Sequence, residues 1–286
     1  MNIAYRFRIY PTEEQKILLG KTFGCCRFLY NQMLDDKIRE YEKTKKMLKN
    51  TPAMYKREYP FLKEVDSLAL ANVQLHLEKA YKNFFRDSKI GFPRFKSKHH
   101  SKNSYTTNVV NGNILVESKK IRLPKLKWIA MKKHREPAEG LRLKSVTVSM
   151  EPSGKYFASL LYEGYSCENQ AAGPDYSTAK ILGIDYAMQG MAVFSEKIET
   201  EEAGFFRKNE KRLAREQRKL SRCVRGSHNY ELQKKKVARC HEKIRSQRRD
   251  YLHKLSRRIT DQYDIVAVED IDMKAMSQCL HFGKSV

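Results

Sequence analysis

The sequence contains no apolar run long enough to cross a membrane. A transmembrane helix needs roughly 20 consecutive apolar residues, and no segment of this chain approaches that length. The first residues, Met1–Arg6, lack the apolar core of a signal peptide. We therefore predict a cytoplasmic protein that has no membrane partner.

Cysteine pairs with the spacing of a metal or redox site are also missing. None of the six cysteines forms a C-x-x-C pair, so neither a zinc site nor a thioredoxin-like site is indicated. Cys223 with His228 and Cys240 beside His241 allow a metal site, but we favour a helical hairpin that carries these residues incidentally. We expect free thiols in a reducing cytosol and no zinc.

Acidic residues are scarce relative to basic ones. The 286 residues include 57 Lys and Arg but only 33 Asp and Glu, which gives a formal net charge of +24. Such an excess repels itself unless a polyanion neutralises it, and nucleic acid is the usual polyanion. An anionic membrane surface is the weaker alternative. The length allows two domains, or one large domain with an insertion.

Two apolar stretches each predict a short strand that ends in a carboxylate. Residues 181–195 are typical of two short strands folded back on each other, with Gly190 near the turn and Asp185 ending the first strand. Residues 263–269 form a second apolar run, which ends in Glu269. Two buried strands that bring acids to one edge of a sheet would suit Mg²⁺, which takes oxygen ligands. Acids that cap loops or neighbouring helices are the alternative.

The order of motifs adds a resemblance to these patterns. Gly-Ile-Asp at 183–185, a long basic helical segment and Val-Glu-Asp at 268–270 follow one another. This arrangement resembles the RuvC-type nuclease core of the TnpB (OrfB) family, insertion-sequence proteins that act as RNA-guided DNA endonucleases. The similarity extends from Tyr5–Thr12 to Met273–Met276, and it therefore covers essentially the whole chain.

The resemblance implies a metal-dependent DNA endonuclease in which Asp185 and Glu269 are catalytic residues and bind Mg²⁺. It also implies guide RNA and target DNA as partners, and it leaves the oligomeric state open. A third Asp and the paired C-x-x-C zinc-binding turns of relatives are not found in these 286 residues. We therefore expect weak cleavage or none, so whether this chain is an enzyme stays open. The alternatives are a non-catalytic RNA-guided or DNA-binding transcriptional repressor and an active nuclease completed by a partner chain.

The first half of the chain combines helices with many short strands. Residues 3–10 alternate apolar and polar side chains, as a half-buried strand does. Two adjacent helices are predicted, one after a capping box at 12–15 and one over 25–46, and another helix over 67–87. Short alternating runs within 104–165 predict a small β-barrel, whose first strand is the amino-terminal one.

The predicted fold class is α+β. A small wedge-like β-barrel contains an inserted helical bundle, and an incomplete RNase H-like (RuvC) α/β domain with a basic helical hairpin follows it. The predicted boundaries are 1–11 and 96–167 for the barrel, 12–95 for a helical recognition region that is helix-turn-helix-like, 168–180 for a linker, 181–286 for the RuvC-like domain and about 206–262 for its hairpin.

Two segments are typical of nucleic-acid binding. The loop 90–100 interleaves aromatic residues with cations, which suits stacked bases and phosphates. Residues 206–258 contain 20 Lys and Arg but only 5 Asp and Glu, and an apolar stripe that includes Leu232 and Leu252 indicates a packed hairpin. Ordinary solvated surfaces are the alternative. The predicted contacts are Arg94, Lys96, Lys98, Arg215, Arg218, Lys219, Arg222, Lys234, Lys235, Lys236, Arg248 and Arg249.

Overall fold

The computed structural model describes residues 2–87, 89–98, 100–164, 178–186, 192–198 and 205–271, and the chain forms two compact units, 1–167 and 168–286. Most of the predicted linker and Gly190 lie outside the described residues. The helices are α1 (Glu13–Thr44), α2 (Pro52–Glu58), α3 (Ser67–Arg86), α4 (Phe205–Ser221) and α5 (His228–Gln262). None of these described helices is long and apolar enough to cross a membrane. The protein is a mixed α+β structure, as predicted.

The first unit is built on a seven-stranded antiparallel sheet with the strand order β2-β6-β7-β1-β5-β4-β3. The strands are β1 (Asn2–Tyr10), β2 (Asn103–Asn108), β3 (Leu115–Val116), β4 (Lys120–Leu123), β5 (Lys127–Lys132), β6 (Arg142–Met150) and β7 (Tyr156–Glu163). Strand β1 pairs with β7 from Asn2↔Glu163 to Ile9↔Tyr156, and its last residues also pair with β5. The amino-terminal strand therefore lies in the middle of this sheet.

The sheet has an open strand order, whereas the sequence predicted a closed barrel. Among the described strands, no ladder joins the two edge strands β2 and β3. Helices α1 and α3 pack against β2, and β3 contains only two residues. The two edge strands therefore lack long rows of unpaired backbone groups through which they could pair with each other. Helix packing on an edge strand is not encoded in the alternation of residues along that strand, so the sequence pattern did not reveal it.

A single helix, α1, replaces the two helices predicted between residues 12 and 46. Gly20 and Gly24 lie inside it, although a glycine in a helix interior costs about 1 kcal/mol relative to alanine. A buried row that includes Phe23 and Leu29 continues past both glycines. Because this apolar face packs along the helix without a gap, tertiary contacts offset the weak local propensity.

Other predictions for the helical segment are confirmed. The Thr12 hydroxyl accepts a hydrogen bond from the Gln15 amide at 3.3 Å, and Gln15 Oε1 accepts one from the Thr12 amide at 3.0 Å, which completes the capping box. Helix α3 begins at the predicted residue and ends one residue early. Helix α2 and a short 3-10 helix, Pro60–Glu64, occupy a stretch for which no helix was predicted.

One apolar core joins the helices of the first unit to its sheet. Leu29 of α1 and Leu70 of α3 are fully buried in the same cluster as Val146 of β6 and Leu160 of β7. Burial of such a side chain contributes roughly 1.5–3 kcal/mol. The segment between β1 and β2 is thus an insertion in the chain that packs onto the sheet and shares its core.

The second unit consists of a three-stranded sheet and the two long helices α4 and α5. In the sheet, β8 (Ile181–Tyr186) is central, with β9 (Ala192–Phe194) antiparallel on one side and β10 (Ile265–Val268) parallel on the other. Helices α4 and α5 pack together as the predicted hairpin. The Ser227 hydroxyl caps α5 by accepting a hydrogen bond from the Tyr230 amide at 3.1 Å.

Two small apolar clusters hold the described part of the second unit together. The buried members are Leu182, Leu255 and Ile259 in one cluster and Leu213, Cys240 and Ile244 in the other. Leu232 and Leu252, which were predicted in the apolar stripe, are 44% and 43% exposed. Each cluster covers only part of the 35-residue helix α5, so apolar residues outside the two contacts stay exposed.

Candidate metal site and nucleic-acid surfaces

The parallel pairing of β8 and β10 brings the two predicted carboxylates together. The register of the two strands ends at Val268↔Ile184, so the next residues are Glu269 and Asp185. Adjacent strands lie about 4.8 Å apart, and residues in register point to the same face of the sheet. The Asp185 and Glu269 carboxyl groups lie within hydrogen-bonding reach of each other. Strand pairing therefore unites residues that are far apart in the chain.

The contact between the two acids is electrostatically unfavourable when both are charged. The hydrogen bond with Asp185, followed by repulsion from its charge, raises the pKa of Glu269 above its ordinary value. Both residues are exposed. A proton or a divalent cation between the carboxyl groups would relieve this repulsion. Carboxylate oxygens supplemented by water are the ligands that Mg²⁺ takes, so this donor set fits that ion.

Hydrogen bonds between residues far apart in the sequence hold the segments next to β9 and β10 against β8. The Lys180 amide donates to Asp264 Oδ2 at 3.0 Å, and the Lys180 carbonyl accepts from the Asp264 amide at 3.0 Å. On the other side, the Gly183 amide donates to Ser195 Oγ at 2.9 Å, and the Gly183 carbonyl accepts from the Ser195 amide at 3.0 Å. A slip of one residue would turn one site carboxylate to the opposite face. Sequence analysis missed these anchors because they have no local pattern.

The strands that carry the two acids are less buried than predicted. Leu182 is fully buried, whereas Ile181, Val266 and Val268 are 51%, 37% and 68% exposed. The prediction of two buried strands is therefore wrong for the described part of this sheet. An apolar run does not reveal whether both faces of a strand are covered. The two carboxylates consequently lie at a solvent-accessible end of the sheet.

The four described cysteines, Cys25, Cys26, Cys223 and Cys240, are free thiols. Burial raises the pKa of the Cys26 thiol to about 12, which keeps it protonated at neutral pH. Within the part of the chain that the structure describes, no group of three or more His, Cys, Asp or Glu side chains could hold a metal.

A basic groove of about 340 Å³ lies between α4 and α5. The Gln233 amide donates to the Glu216 carboxylate at 2.8 Å and to the Glu216 carbonyl at 3.0 Å, and the first of these bonds lowers the pKa of Glu216. The groove is lined by Asn209, Arg212, Glu216, Lys219, Lys236, Arg239, Cys240 and Lys243. Five of these residues are cations and one is a carboxylate, so the groove keeps a net positive charge that suits phosphate groups.

The predicted hairpin contacts are nearly all exposed, and only Arg248 is half-buried. Lys219 and Lys236 line the groove, but sequence analysis missed others, including Arg212 and Lys243. Arg212 and Lys243 each lie seven positions from a predicted residue on the same helix, Lys219 and Lys236 respectively. Residues seven apart share a helix face, so this spacing is the signal that would have found them.

The three predicted contacts in the loop after α3 differ in their surroundings. Arg94 and Lys98 are exposed. Lys96 Nζ lies 3.8 Å from the centre of the Tyr30 ring, and burial lowers the pKa of Lys96. The Asn31 side chain also holds the Lys96 backbone through hydrogen bonds of 2.8 and 2.9 Å. Lys96 therefore holds the loop against α1, which the charge pattern alone did not predict.

The chain is similar over nearly its whole length to two bacterial proteins. It is 32% identical over 287 residues to "Putative RNA-guided DNA endonuclease InsQ" of Escherichia coli (strain K12), and the match covers 96% of this chain and 67% of that protein. The chain belongs to the TnpB (OrfB) family. A "Putative RNA-guided DNA endonuclease" of Streptomyces pristinaespiralis is also 32% identical over 283 residues, with 95% of this chain and 67% of that protein covered.

Two family descriptions match separate segments of this TnpB-family chain. Residues 164–280 match OrfB_IS605, "Probable transposase", and residues 1–46 match the helix-turn-helix domain of the same family. In the described part of 1–46, the strand β1 is followed by the uninterrupted helix α1. The helix-turn-helix-like character of residues 12–95 stays a prediction. Within 12–46 a single helix replaces the two that were expected, because the buried face of α1 continues past the expected turn.

One solved structure, "Cryo-EM structure of the Cas12f1-sgRNA-target DNA complex", is similar over 99% of this chain and 76% of its own. The sequence identity is 13% and the TM-score is 0.31. A likeness of that size supports no argument about the TnpB-family chain.

Proposed function

We propose that this protein is an RNA-guided DNA endonuclease that binds a guide RNA and a target DNA and holds Mg²⁺ with Asp185 and Glu269 in a RuvC-like centre. The observation that carries the proposal is the parallel register of β8 and β10, in which the two carboxylates are neighbours. Two relatives named as RNA-guided DNA endonucleases match most of the chain, and this supports the assignment of partners.

The proposal also assigns a role to each segment of the chain. We assign residues 1–11 and 96–167 to a wedge-like region and residues 12–95 to the recognition of nucleic acid. Residues 168–180 then form a linker, and 181–286 form the RNase H-like (RuvC) domain. The central position of β1 in the first sheet supports the first assignment, since it joins the two ends of the wedge-like region.

The chain contributes charge and geometry to the metal site. Asp185 and Glu269 would each give carboxylate oxygens to Mg²⁺, with water in the remaining positions. An ion held there would supply Lewis-acid chemistry, which lowers the pKa of a bound water molecule and stabilises charge on phosphoryl oxygens. The anchors at Lys180 and Gly183 keep both carboxylates on one face. Because Asp185 raises the pKa of Glu269, the pair is fully charged only above that raised value.

The hairpin of α4 and α5 supplies the surface for the nucleic-acid backbone. Its groove presents cations from both helices. Phosphate contacts of this kind release bound counterions, so the affinity should fall steeply as the salt concentration rises. Copurification of RNA with the protein is the simplest expected consequence.

The strength of cleavage is a separate prediction. A site with two carboxylates holds metal ions weakly, so part of the metal coordination during cleavage would have to come from the phosphates of the substrate. Removal of one stabilising contact in such a site typically lowers the rate by about 10²–10³. We therefore expect DNA binding with weak cleavage by the 286-residue chain. Robust cleavage would contradict this expectation, and binding without any cleavage would favour an RNA-guided repressor.

The pairing of the two acids can be tested without any measurement of cleavage. In NMR titrations of the Glu269 carboxyl group, Asp185→Asn should lower its pKa towards the ordinary glutamate value, because the like charge is removed. Asp270→Asn, which changes the next residue along the chain, is the matched control and should have a smaller effect. An identical Glu269 titration in the wild type and in Asp185→Asn would disprove the pairing on which the proposal rests.

A further inference from the structure

A cluster of four aromatic rings lies at the end of α3 and in the loop that follows. The ring centres of Phe85 and Tyr81 are 6.3 Å apart with an angle of 22° between the planes, so these rings are stacked. Phe92 packs edge-on against Tyr81 at 5.6 Å and against Phe84 at 5.4 Å. The four rings therefore support one another and hold the loop close to the helix.

This cluster is buried on one side and open on the other. Tyr81 is 7% exposed and belongs to the main core. In contrast, Phe85 is 70% exposed and Phe92 is 45% exposed. A ring that is stacked on a buried neighbour and still has most of its surface in water offers a free face to a planar ligand. The sequence pattern of the loop indicated the ring at 92 but not the more exposed one at 85.

The surroundings of these rings are predominantly basic. Lys82, Arg86, Lys89 and Arg94 are all exposed, and none of them forms a salt bridge with another described residue. The neighbouring acid, Asp87, accepts a hydrogen bond from the Lys89 amide at 2.9 Å and so closes the turn after α3. The open rings are therefore set among cations.

A second aromatic cluster in the same unit provides a contrast. The ring of Phe61, which is 43% exposed, lies 5.3 Å from Phe28 and 6.0 Å from Tyr59. Here the nearby charges are mixed, since Lys21 and Glu64 form a salt bridge of 2.7 Å. Exposed rings thus occur in two electrostatic settings, and of these two clusters the one at the end of α3 suits a planar ligand with an anionic backbone.

We infer that Phe85 and Phe92 form a platform on which unpaired bases of a bound single strand stack while the surrounding cations contact its phosphates. This inference rests on the proposed nucleic-acid function and adds to it the class of ligand that this surface takes. Stacking is tolerant of sequence because every base has a π-face. A protein partner would be expected to match mixed charges at the rim, whereas a polyanion matches cations alone.

The test uses the full chain and a short single-stranded RNA that carries a fluorescent purine analogue, whose emission is quenched when it stacks. Phe85→Ala removes the most exposed ring, and Phe85→Tyr keeps an aromatic ring at the same position. Phe61→Ala is the matched control, because it removes a partly exposed ring from a mixed-charge setting in the same unit. A single-stranded DNA of the same sequence distinguishes RNA from DNA as the source of the bases.

Phe85→Ala should weaken binding about tenfold, as expected for the loss of one base-stacking ring, and should reduce the quenching. The slope of log affinity against log salt should not change, since no phosphate contact is lost. Phe85→Tyr should bind like the wild type, and so should Phe61→Ala. In contrast, Arg86→Gln should lower the salt slope by about 0.7, the value for one phosphate contact to a single strand. Unchanged thermal unfolding of Phe85→Ala would show that the fold is intact.

Wild-type quenching and affinity in Phe85→Ala, together with steep salt dependence, would overturn the platform and leave the proposed nucleic-acid function standing. If the wild type binds no single strand, both inferences fail. An equal loss in Phe85→Tyr and Phe85→Ala would rule out stacking as the cause. If Phe85→Ala instead converts a dimer to a monomer in sedimentation without a change in RNA binding, the surface joins two copies of the chain and the inference is wrong.

Discussion

The first unit buries its apolar residues in one cluster that draws on three helices and most of its strands, whereas the described part of the second unit has two clusters of three buried residues each. In the first unit even the central strand β1 contributes fully buried residues such as Phe7 and Ile9. In the second unit the strand β10 is mostly exposed. The two units therefore differ in how much burial stabilises each element.

The residues that stabilise the fold and the residues proposed to bind and react therefore lie largely in different units. The candidate carboxylates and most of the predicted phosphate contacts lie in the second unit, on exposed positions with few packing contacts. Their substitution should change binding and catalysis but have little effect on the fold, since surface substitutions usually change stability by less than about 0.5 kcal/mol. Changes in the interior of the first unit should have the opposite effect.

The largest effect should follow Asp185→Ala. We expect Mg²⁺-dependent cleavage in the presence of cognate guide RNA to fall by about 10²–10³, because one of the two paired carboxylates is lost. Thermal unfolding should be unchanged, since Asp185 is exposed. The measurement is the cleavage rate of a labelled target duplex under single-turnover conditions. Cleavage at the wild-type rate by Asp185→Ala would show that the centre lies elsewhere.

The next largest effect concerns the basic hairpin. Replacing Lys234, Lys235 and Lys236 by Glu should weaken RNA binding by about 10² and lower the salt slope by about 2, because three phosphate contacts to a single strand are lost. All three side chains are exposed, so the fold should tolerate the change. Affinity measured by fluorescence anisotropy at several salt concentrations provides both quantities.

The control for the hairpin lies in the first unit. Lys119, Lys125 and Lys127, which lie outside the helical insertion, are also exposed, and their replacement by Glu changes the net charge by the same amount. We expect a much smaller loss of affinity and of salt slope. Equal losses in the two triple variants would mean that total charge, and not the hairpin, determines binding.

A smaller effect is expected from Asp264→Ala. This residue lies about 16 Å from Glu269 along the extended chain, so it cannot bind the same ion, but its carboxylate accepts the Lys180 amide at 3.0 Å. Loss of this anchor should loosen the pairing of β10 with β8 and weaken Mg²⁺ binding about tenfold, as loss of a residue that positions a metal ligand commonly does. Asp264→Asn keeps an acceptor oxygen and should restore most of the affinity. Equal weakening by both variants would indicate a charge effect.

The smallest effect should be a stabilisation of the first unit. Gly24 lies in α1, and a methyl group there would meet no atom within 4 Å. Gly24→Ala should raise stability by about 1 kcal/mol through better helix propensity, which corresponds to roughly 2–4 °C in a unit of this size. Differential scanning calorimetry should show the shift only in the transition of the first unit. A lower transition temperature would mean that α1 needs flexibility at this position.

Local patterns in the sequence predicted the elements well and their assembly less well. The capping box at Thr12, the hairpin helices and the strands between residues 103 and 163 were found because each depends on neighbouring residues. The single helix α1 was missed because the contacts that continue it come from other parts of the chain. The open order of the first sheet was missed for the same reason.

The candidate site divides in the same way. The positions of Asp185 and Glu269 at the ends of apolar runs were visible in the sequence, but their proximity follows from the register of two strands about 80 residues apart. The cations of the hairpin were visible as a composition, whereas the groove with Arg212 and Lys243 required the packing of α4 on α5. The role of Asp264 as an anchor had no local signal at all.

The sequence by itself determined the excess of positive charge, the alternation that forms the strands, the caps that begin the helices and the acids at two strand ends. These properties depend on residue identity and on spacing within a few residues. Only the tertiary structure decided that one core joins helices and sheet in the first unit, that β10 runs parallel to β8, and that the ring of Phe85 stays open to solvent. Those outcomes depend on contacts between segments far apart in the chain, where burial and hydrogen bonding outweigh local preference.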